Sequence, residues 1–207
     1  MLFLFPSSVR AMEKCNIISG NGLDLGSEID CVGERFYVIE TNDDYLKLLS
    51  KYNLYVGNSL DENNNVTPLA NPTGKQDASA RGYVKGEYPF IGITAFSTTN
   101  KGYSGSIVEG YVNNYKTLLE SNYRIEVIEA RLITEDELTN PETFACVKYG
   151  YCPNKYPWIY STSYWTGSGS GSRMMYVLSY GNFNWSSCND VDNYGVRPVI
   201  VISKSNF

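Results

Sequence analysis

Hydrophobic periodicity changes several times along this chain. In "RFYVIE" (Arg35 to Glu40) and "YLKLLSKYNL" (Tyr45 to Leu54), apolar and aromatic residues interleave with polar ones. Asn42-Asp43-Asp44 separates the two runs, which is the pattern of a β-hairpin. After Asn58 the chain turns to "DENNN", Pro68, Asn71-Pro72 and Gly74. That chemistry predicts an exposed loop of about 20 residues, long enough to raise the question of function. "GYVKGEYPFIGITAFS" then reads as short strands and bends.

Helical spacing begins at Ser106. Ser106 and Glu109 form the S-x-x-E pattern of a capping box, and Ile107, Val108, Tyr111, Val112, Tyr115, Leu118 and Leu119 share one face behind it. Gly110 weakens that helix slightly. "RIEVIEARLIT" (Arg124 to Thr134) returns to strand content, and Thr134 with Glu137 opens a second, short helix that stops near Asn140-Pro141. From Trp158 onwards "WIYSTSYW", "MMYVLS", "GNF" and "GVRPVIVIS" predict short strands separated by loops. Pro198 inside the last run points to an edge position or a bulge near its start. The expectation is an α+β domain: helices early, then a small, loop-rich antiparallel sheet. No repeat of solenoid length is present.

Composition sharpens the picture most in one segment. Of the 32 residues from Tyr164 to Gly195, 21 are Tyr, Trp, Ser, Gly or Asn, and only Arg173, Asp190 and Asp192 carry charge. Antibody paratopes use the same residues, because Tyr and Trp offer rigid contact area while Ser, Gly and Asn supply adaptable hydrogen bonds. Candidate ligand-binding residues are Arg173, Met174, Tyr176, Leu178, Tyr180, Asn182, Asn184, Trp185, Ser187, Asn189, Asp192 and Tyr194. Strand alternation would put Met174, Tyr176, Leu178 and Tyr180 on one face and Met175, Val177 and Ser179 on the other. Trp158, Trp165 and Phe183 are expected in the core. Gly195 would permit a tight bend, and Arg197 would hold the loops through backbone carbonyls or a carboxylate.

Charge and the remaining chemistry mostly exclude. A net charge of −5 without a basic cluster argues against nucleic acid and anionic membrane surfaces. The chain has no histidine, which removes Ser-His and Cys-His nucleophile pairs and the HExxH zinc site. No cofactor or metal is expected. Asp61, Asn63 and Asn65 have EF-hand-like spacing, but Val66 and Pro72 stand where that loop needs Gly and Glu. Asp190, Asp192 and Asn193 read as a solvated turn. Glu135, Asp136 and Glu137 lie in the first turn of a helix and complement its dipole.

Cys15 with Cys31, and Cys146 with Cys152, read as two short disulfide loops, with Cys188 left over; five cysteines leave other pairings open. Disulfides imply an oxidising compartment. "MLFLFPSSVRA" carries a short apolar run and places Val9 and Ala11 at the −3 and −1 positions of a signal-peptidase site. Residues 1–11 are therefore read as a signal-peptide remnant, against an ordinary N-terminal strand. Residues 12–33 are read as an extension and 34–207 as the binding domain. No apolar run reaches the ~20 residues a membrane span needs.

The motifs "FYVIE", "LLSKYNLYVGN", "ITAFSTTN", "YVNNYKTLLES", "EARLITEDEL", "STSYW", "YGNF" and "GVRPVIVISKS" occur in that order. Together they resemble bacterial C-type-lectin-fold domains, in the branch of formylglycine-generating enzymes and of the variable proteins of diversity-generating retroelements. They are also similar to secreted or pilin-like surface proteins of Gram-positive bacteria. The resemblance covers roughly residues 34–207. It implies a lectin-type fold with two helices packed on a small antiparallel sheet and a loop-rich C-terminal display face. It also implies ligand binding or adhesion rather than catalysis. The family's enzymes need paired cysteines near the C-terminus, whereas Cys188 stands alone in the last 50 residues. The Glu-Pro-Asn and Gln-Pro-Asp calcium–sugar triads of animal lectins are absent, as is a pilin-type N-terminal helix. The expectation is a secreted or surface-bound monomer whose C-terminal loops contact an extracellular protein or glycan. In its sharper form, those loops are diversified by a retroelement. The rivals are a structural pilus or surface-layer module and a cysteine-dependent oxidase acting through Cys188.

Overall fold

The computed structural model describes residues 14–98 and 102–207; the signal-peptide reading of residues 1–11 lies outside the described residues. The chain forms β1 (Cys15–Ser19), β2 (Glu28–Cys31), β3 (Glu34–Thr41), β4 (Tyr45–Ser50), β5 (Asn58–Leu60), β6 (Val66–Pro68) and β7 (Phe90–Ile93). Helix α1 (Ile107–Tyr123), strand β8 (Val127–Leu132) and the single-turn helix α2 (Glu135–Thr139) follow. Strands β9 (Gly150–Tyr151), β10 (Tyr164–Ser170), β11 (Arg173–Val177), β12 (Asn182–Ser187) and β13 (Pro198–Ser203) complete it.

This architecture corrects the expected one. Among the described residues there are thirteen strands in three antiparallel sheets, ordered β1-β2-β3-β4-β13-β8, β10-β11-β12-β9 and β6-β5-β7. Only α1, with 17 residues, is a substantial helix; α2 has 5. The molecule is mainly β, not two helices on one small sheet. The physical reason is strand length: β2, β5, β6, β7 and β9 span 2–4 residues each. Runs that short show no period, so their turn residues dominate the local reading.

Where the pattern is long, it holds. β3 and β4 pair antiparallel, and Asn42 Oδ1 closes their turn by accepting the backbone N–H groups of Asp44 and Tyr45, both at 2.9 Å. α1 buries Val108, Val112, Tyr115 and Leu119 from the expected face. Ser106 Oγ caps it by accepting Glu109 N–H at 3.0 Å. The Glu109 carboxylate instead accepts from Gly105 N–H at 2.5 Å, so this cap is not the reciprocal box the sequence suggested. Thr134 and Glu137 do form the full box.

Other local expectations shift. The long loop after Asn58 contains the β5–β6 hairpin, with Asn64 at φ 62° in its turn. Pro157–Tyr160 is a 3₁₀ turn, and the strand expected across "WIYSTSYW" begins only at Tyr164. β13 lies between β4 and β8 rather than at an edge; Pro198 is tolerated as its first residue. β1 and β2 extend the main sheet, and Cys15, Ile29 and Cys31 join its core.

Two cores follow from the alternation. On one face of the six-stranded sheet, Phe36, Leu48 and Ile200 pack under α1 and continue to Trp165, Met174 and Tyr194. On the other, Leu49 and Val199 pack with Tyr164, Met175, Val177 and Phe183. The four-stranded sheet is therefore covered on both faces along β10 and β11. Arg197 locks this junction, as the sequence suggested. It is fully buried, and its guanidinium donates to the carbonyls of Ser50 (2.6 Å), Ile159 (2.8 Å) and Trp158 (2.9 Å). Gly195 serves close approach rather than a bend: a Cβ there would collide with the Asn53 amide, which donates to Ser163 O at 2.9 Å.

Candidate functional site

Registry in the four-stranded sheet decides which candidates share a surface. Tyr176 stands opposite Asn184, and Met175 opposite Trp185. Side chains alternate along a strand, so Tyr176 and Trp185 point to opposite faces of the sheet. The candidate residues consequently separate into three groups.

Met174, Leu178 and Tyr194 are buried and pack in the first core. Tyr176 is half-buried, its ring stacked on Tyr194 at 4.4 Å with 20° between planes. Burial raises the pKa of both phenols, so both stay protonated in the physiological range. Asn182 Nδ2 donates to Gly150 O at 3.3 Å, fastening β12 to β9. These side chains hold the sheet together.

A second group forms the turn after β12. Asp190 organises it, accepting the Ser186 hydroxyl at 2.8 Å and the Asp192 backbone N–H at 3.0 Å. Ser187 Oγ and Asn189 Oδ1 lie 2.5 Å apart. Burial, then the neighbouring Asp190 charge, raises the pKa of Asp192. Among the described residues no group of three or more acidic or thiol ligands is arranged for a metal. Tyr180 is exposed on the loop after β11, edge-on to Tyr83 at 6.3 Å.

The third group makes a cleft. Arg173, Asn184 and Trp185, with Ser170 and Tyr149, line an open depression of about 360 Å³ at one end of the sheet. Its floor is aromatic: Tyr149 and Trp185 lie near-parallel, 23° apart with centroids at 6.5 Å. Lys148 Nζ sits over both rings, at 5.7 Å and 5.3 Å, and is anchored to Glu135 at 2.6 Å. That ion pair raises the lysine pKa, so Lys148 stays charged. The Arg173 guanidinium makes no hydrogen bond or ion pair with any described residue. Asn184 stands opposite Tyr176, and its Oδ1 accepts the Trp185 backbone N–H at 2.8 Å. Trp185 Nε1 is shielded and has no hydrogen-bond partner among the described residues.

Tyr149 was missed in the sequence. It lies inside the disulfide loop Cys146–Cys152, in the left-handed region at φ 60°, and is 63% exposed. Val147 N–H donates to Tyr151 O at 3.1 Å and Gly150 N–H to Val147 O at 2.9 Å, fixing the turn that presents the ring. A clue was present: a loop closed by cysteines six apart is too small to bury its own Tyr149 and Tyr151. Ser170 and Lys148 carried no comparable signal.

Both expected disulfides are formed, Cys15–Cys31 and Cys146–Cys152, and Cys188 lies outside them, buried. No helix among the described residues is long and apolar enough to cross a membrane. Comparison of the chain with protein-family models, curated proteins and solved structures finds no match.

Proposed function

We propose that this protein is an extracellular recognition domain, secreted or held at a cell surface, which binds a protein or glycan without transforming it. The observation that carries this reading is the cleft of Tyr149, Ser170, Arg173, Asn184 and Trp185. It combines the exposed ring of Tyr149 and the half-buried Trp185 with an Arg173 guanidinium that has no partner among the described residues, the mixture found at binding hot spots. Two disulfides support an oxidising location. The buried Cys188 thiol is shielded from any external substrate, which disfavours an oxidase acting through it.

The test is binding to arrays of extracellular proteins and glycans, repeated with Tyr149→Ala and Trp185→Ala. Each truncation is expected to weaken the ligand about thirtyfold, the scale of a hot spot worth ~2 kcal/mol. Tyr149 is the cleaner probe because its ring is mostly exposed, so its melting temperature should stay near that of the parent. Undiminished binding by the folded Tyr149→Ala protein would place the ligand elsewhere. Self-association abolished by the same change would replace the reading with a structural, polymer-forming module.

A further inference from the structure

We infer that the cleft selects a carboxylate-bearing sugar, such as a uronic or sialic acid residue of a glycan. This rests on the recognition reading above and narrows it to one ligand class. The first reason is the polarity of the groups left unpaired. Arg173, on the same face as Trp185, lines the cleft with a guanidinium that carries only donors and makes no hydrogen bond with any described residue. Asn184 stands opposite Tyr176 and Trp185 Nε1 is shielded, so neither adds a side-chain donor to that lining. A guanidinium, with no acceptor of its own, matches a ligand group rich in acceptors.

The second reason is charge. The chain carries −5 overall, yet the cleft holds Arg173 without a carboxylate partner among the described residues. Lys148 beside it is already neutralised by Glu135. An unpaired guanidinium is the group best shaped to take a carboxylate through two parallel hydrogen bonds.

The third reason is shape. At about 360 Å³ the depression lies near the lower limit of small-molecule sites, room for about one or two sugar residues. Tyr149, 63% exposed, offers ring surface on which the C–H face of a pyranose can lie. Beyond Phe183 the outer edge of β12 has no strand partner among the described residues, so an acidic peptide added along that edge is the competing ligand, and an acidic hexapeptide tests it. The β10–β11 turn beside the depression, Gly169-Ser170-Gly171-Ser172, keeps that rim low; a Cβ on Gly171 would meet nothing within 4 Å.

The experiment uses the ¹H–¹⁵N spectrum of the full chain, whose three tryptophans give separate indole signals, with Trp185→Phe assigning one of them. The probes are methyl glucuronide and N-acetylneuraminic acid, each against methyl glucoside. The acidic sugars should shift the Trp185 indole and bind at least tenfold more tightly than the glucoside. Arg173→Gln, at an exposed position, should remove that preference, so that the acidic sugars bind no more tightly than the glucoside. Equal response to the glucoside, no response to either acid, or an Arg173→Gln protein that keeps the preference would overturn the inference. So would tighter binding of an acidic hexapeptide than of the sugars. A neutral glycan or a protein that binds through Tyr149 but ignores Arg173 would sink this inference alone and leave the recognition reading standing. Loss of any Tyr149-dependent ligand would remove both.

Discussion

Glu34 shows how burial and hydrogen bonding oppose each other at a single residue. Its side chain is buried on β3, where Oε2 accepts the Tyr115 hydroxyl at 2.9 Å and the Gln76 backbone N–H at 3.1 Å. Burial raises its pKa above 4.5, and the two donors offset only part of that. A carboxyl raised in the folded state stabilises the fold at low pH and loses that contribution as pH rises through the folded pKa. Glu137 has the opposite sign. Burial acts upwards there too, but two bonds from Arg131, the Thr134 N–H and Lys47 outweigh it and hold the pKa at about 2. Its contribution is present above about 4.5 and is lost as pH falls towards 2. Glu34→Gln keeps an acceptor for both donors and removes the buried charge. At pH 7 that variant is expected to match or exceed the parent by about 1 kcal/mol, with the gap closing near pH 4. Urea unfolding at the two pH values reads this out; a variant clearly weaker at pH 7 would mean that the ionised carboxylate is favoured in place.

The two disulfides separate stability from site geometry at the level of elements. Cys15 and Cys31 stand opposite each other in β1 and β2, in a different sheet from β9–β12, with a sequence separation of 16. Cys146 and Cys152, separated by 6, close the turn that presents Tyr149. Chain-entropy reasoning assigns about 3 kcal/mol to the longer loop and about 2 kcal/mol to the shorter. Replacing Cys15 and Cys31 with Ser should therefore lower stability more, yet leave ligand binding intact. Replacing Cys146 and Cys152 should lower it less and weaken binding at least tenfold, because Tyr149 would lose its left-handed turn. Thermal melts and titrations on both double variants check this, and equal binding by the two would separate Tyr149 from recognition. Such elements were unevenly legible. The β3–β4 pair and α1 could be read because each spans enough residues to repeat a period and carries its own turn or cap chemistry. β9 could not: two residues acquire strand character only from their partners Asn182 and Phe183 on β12. The aromatic segment was legible as a composition, but registry alone puts Tyr176 and Trp185 on opposite faces, and registry is a long-range property.

Topology makes the last strand the keystone of the whole molecule. β13 enters between β4 and β8, which are far apart in sequence and do not touch in the sheet order without it. Val199, Ile200, Val201 and Ile202 are all buried, and they contribute to both cores, Val199 to one face and Ile200 to the other. At about 1.5–3 kcal/mol for each buried aliphatic side chain, the strand contributes about 6–12 kcal/mol before entropy. That is comparable with the entire stability of a typical domain, about 5–15 kcal/mol. Local sequence could not disclose this, since Pro198 reads as an edge position or a bulge near the strand's start, and only the pairing with Leu132 and Leu49 puts the strand in the middle. A chain stopped after Arg197 is accordingly expected to lose cooperative melting, although β1–β4 and the β10–β12 hairpins retain their own sequences intact. Adding a synthetic peptide of residues 198–207 should restore part of the folded signal in a concentration-dependent way, because the missing strand has hydrogen-bonding edges waiting on both sides. If the shortened chain melted cooperatively by itself, β4 and β8 would have to close on each other directly, and the central place of β13 would be a convenience of the fold rather than its requirement.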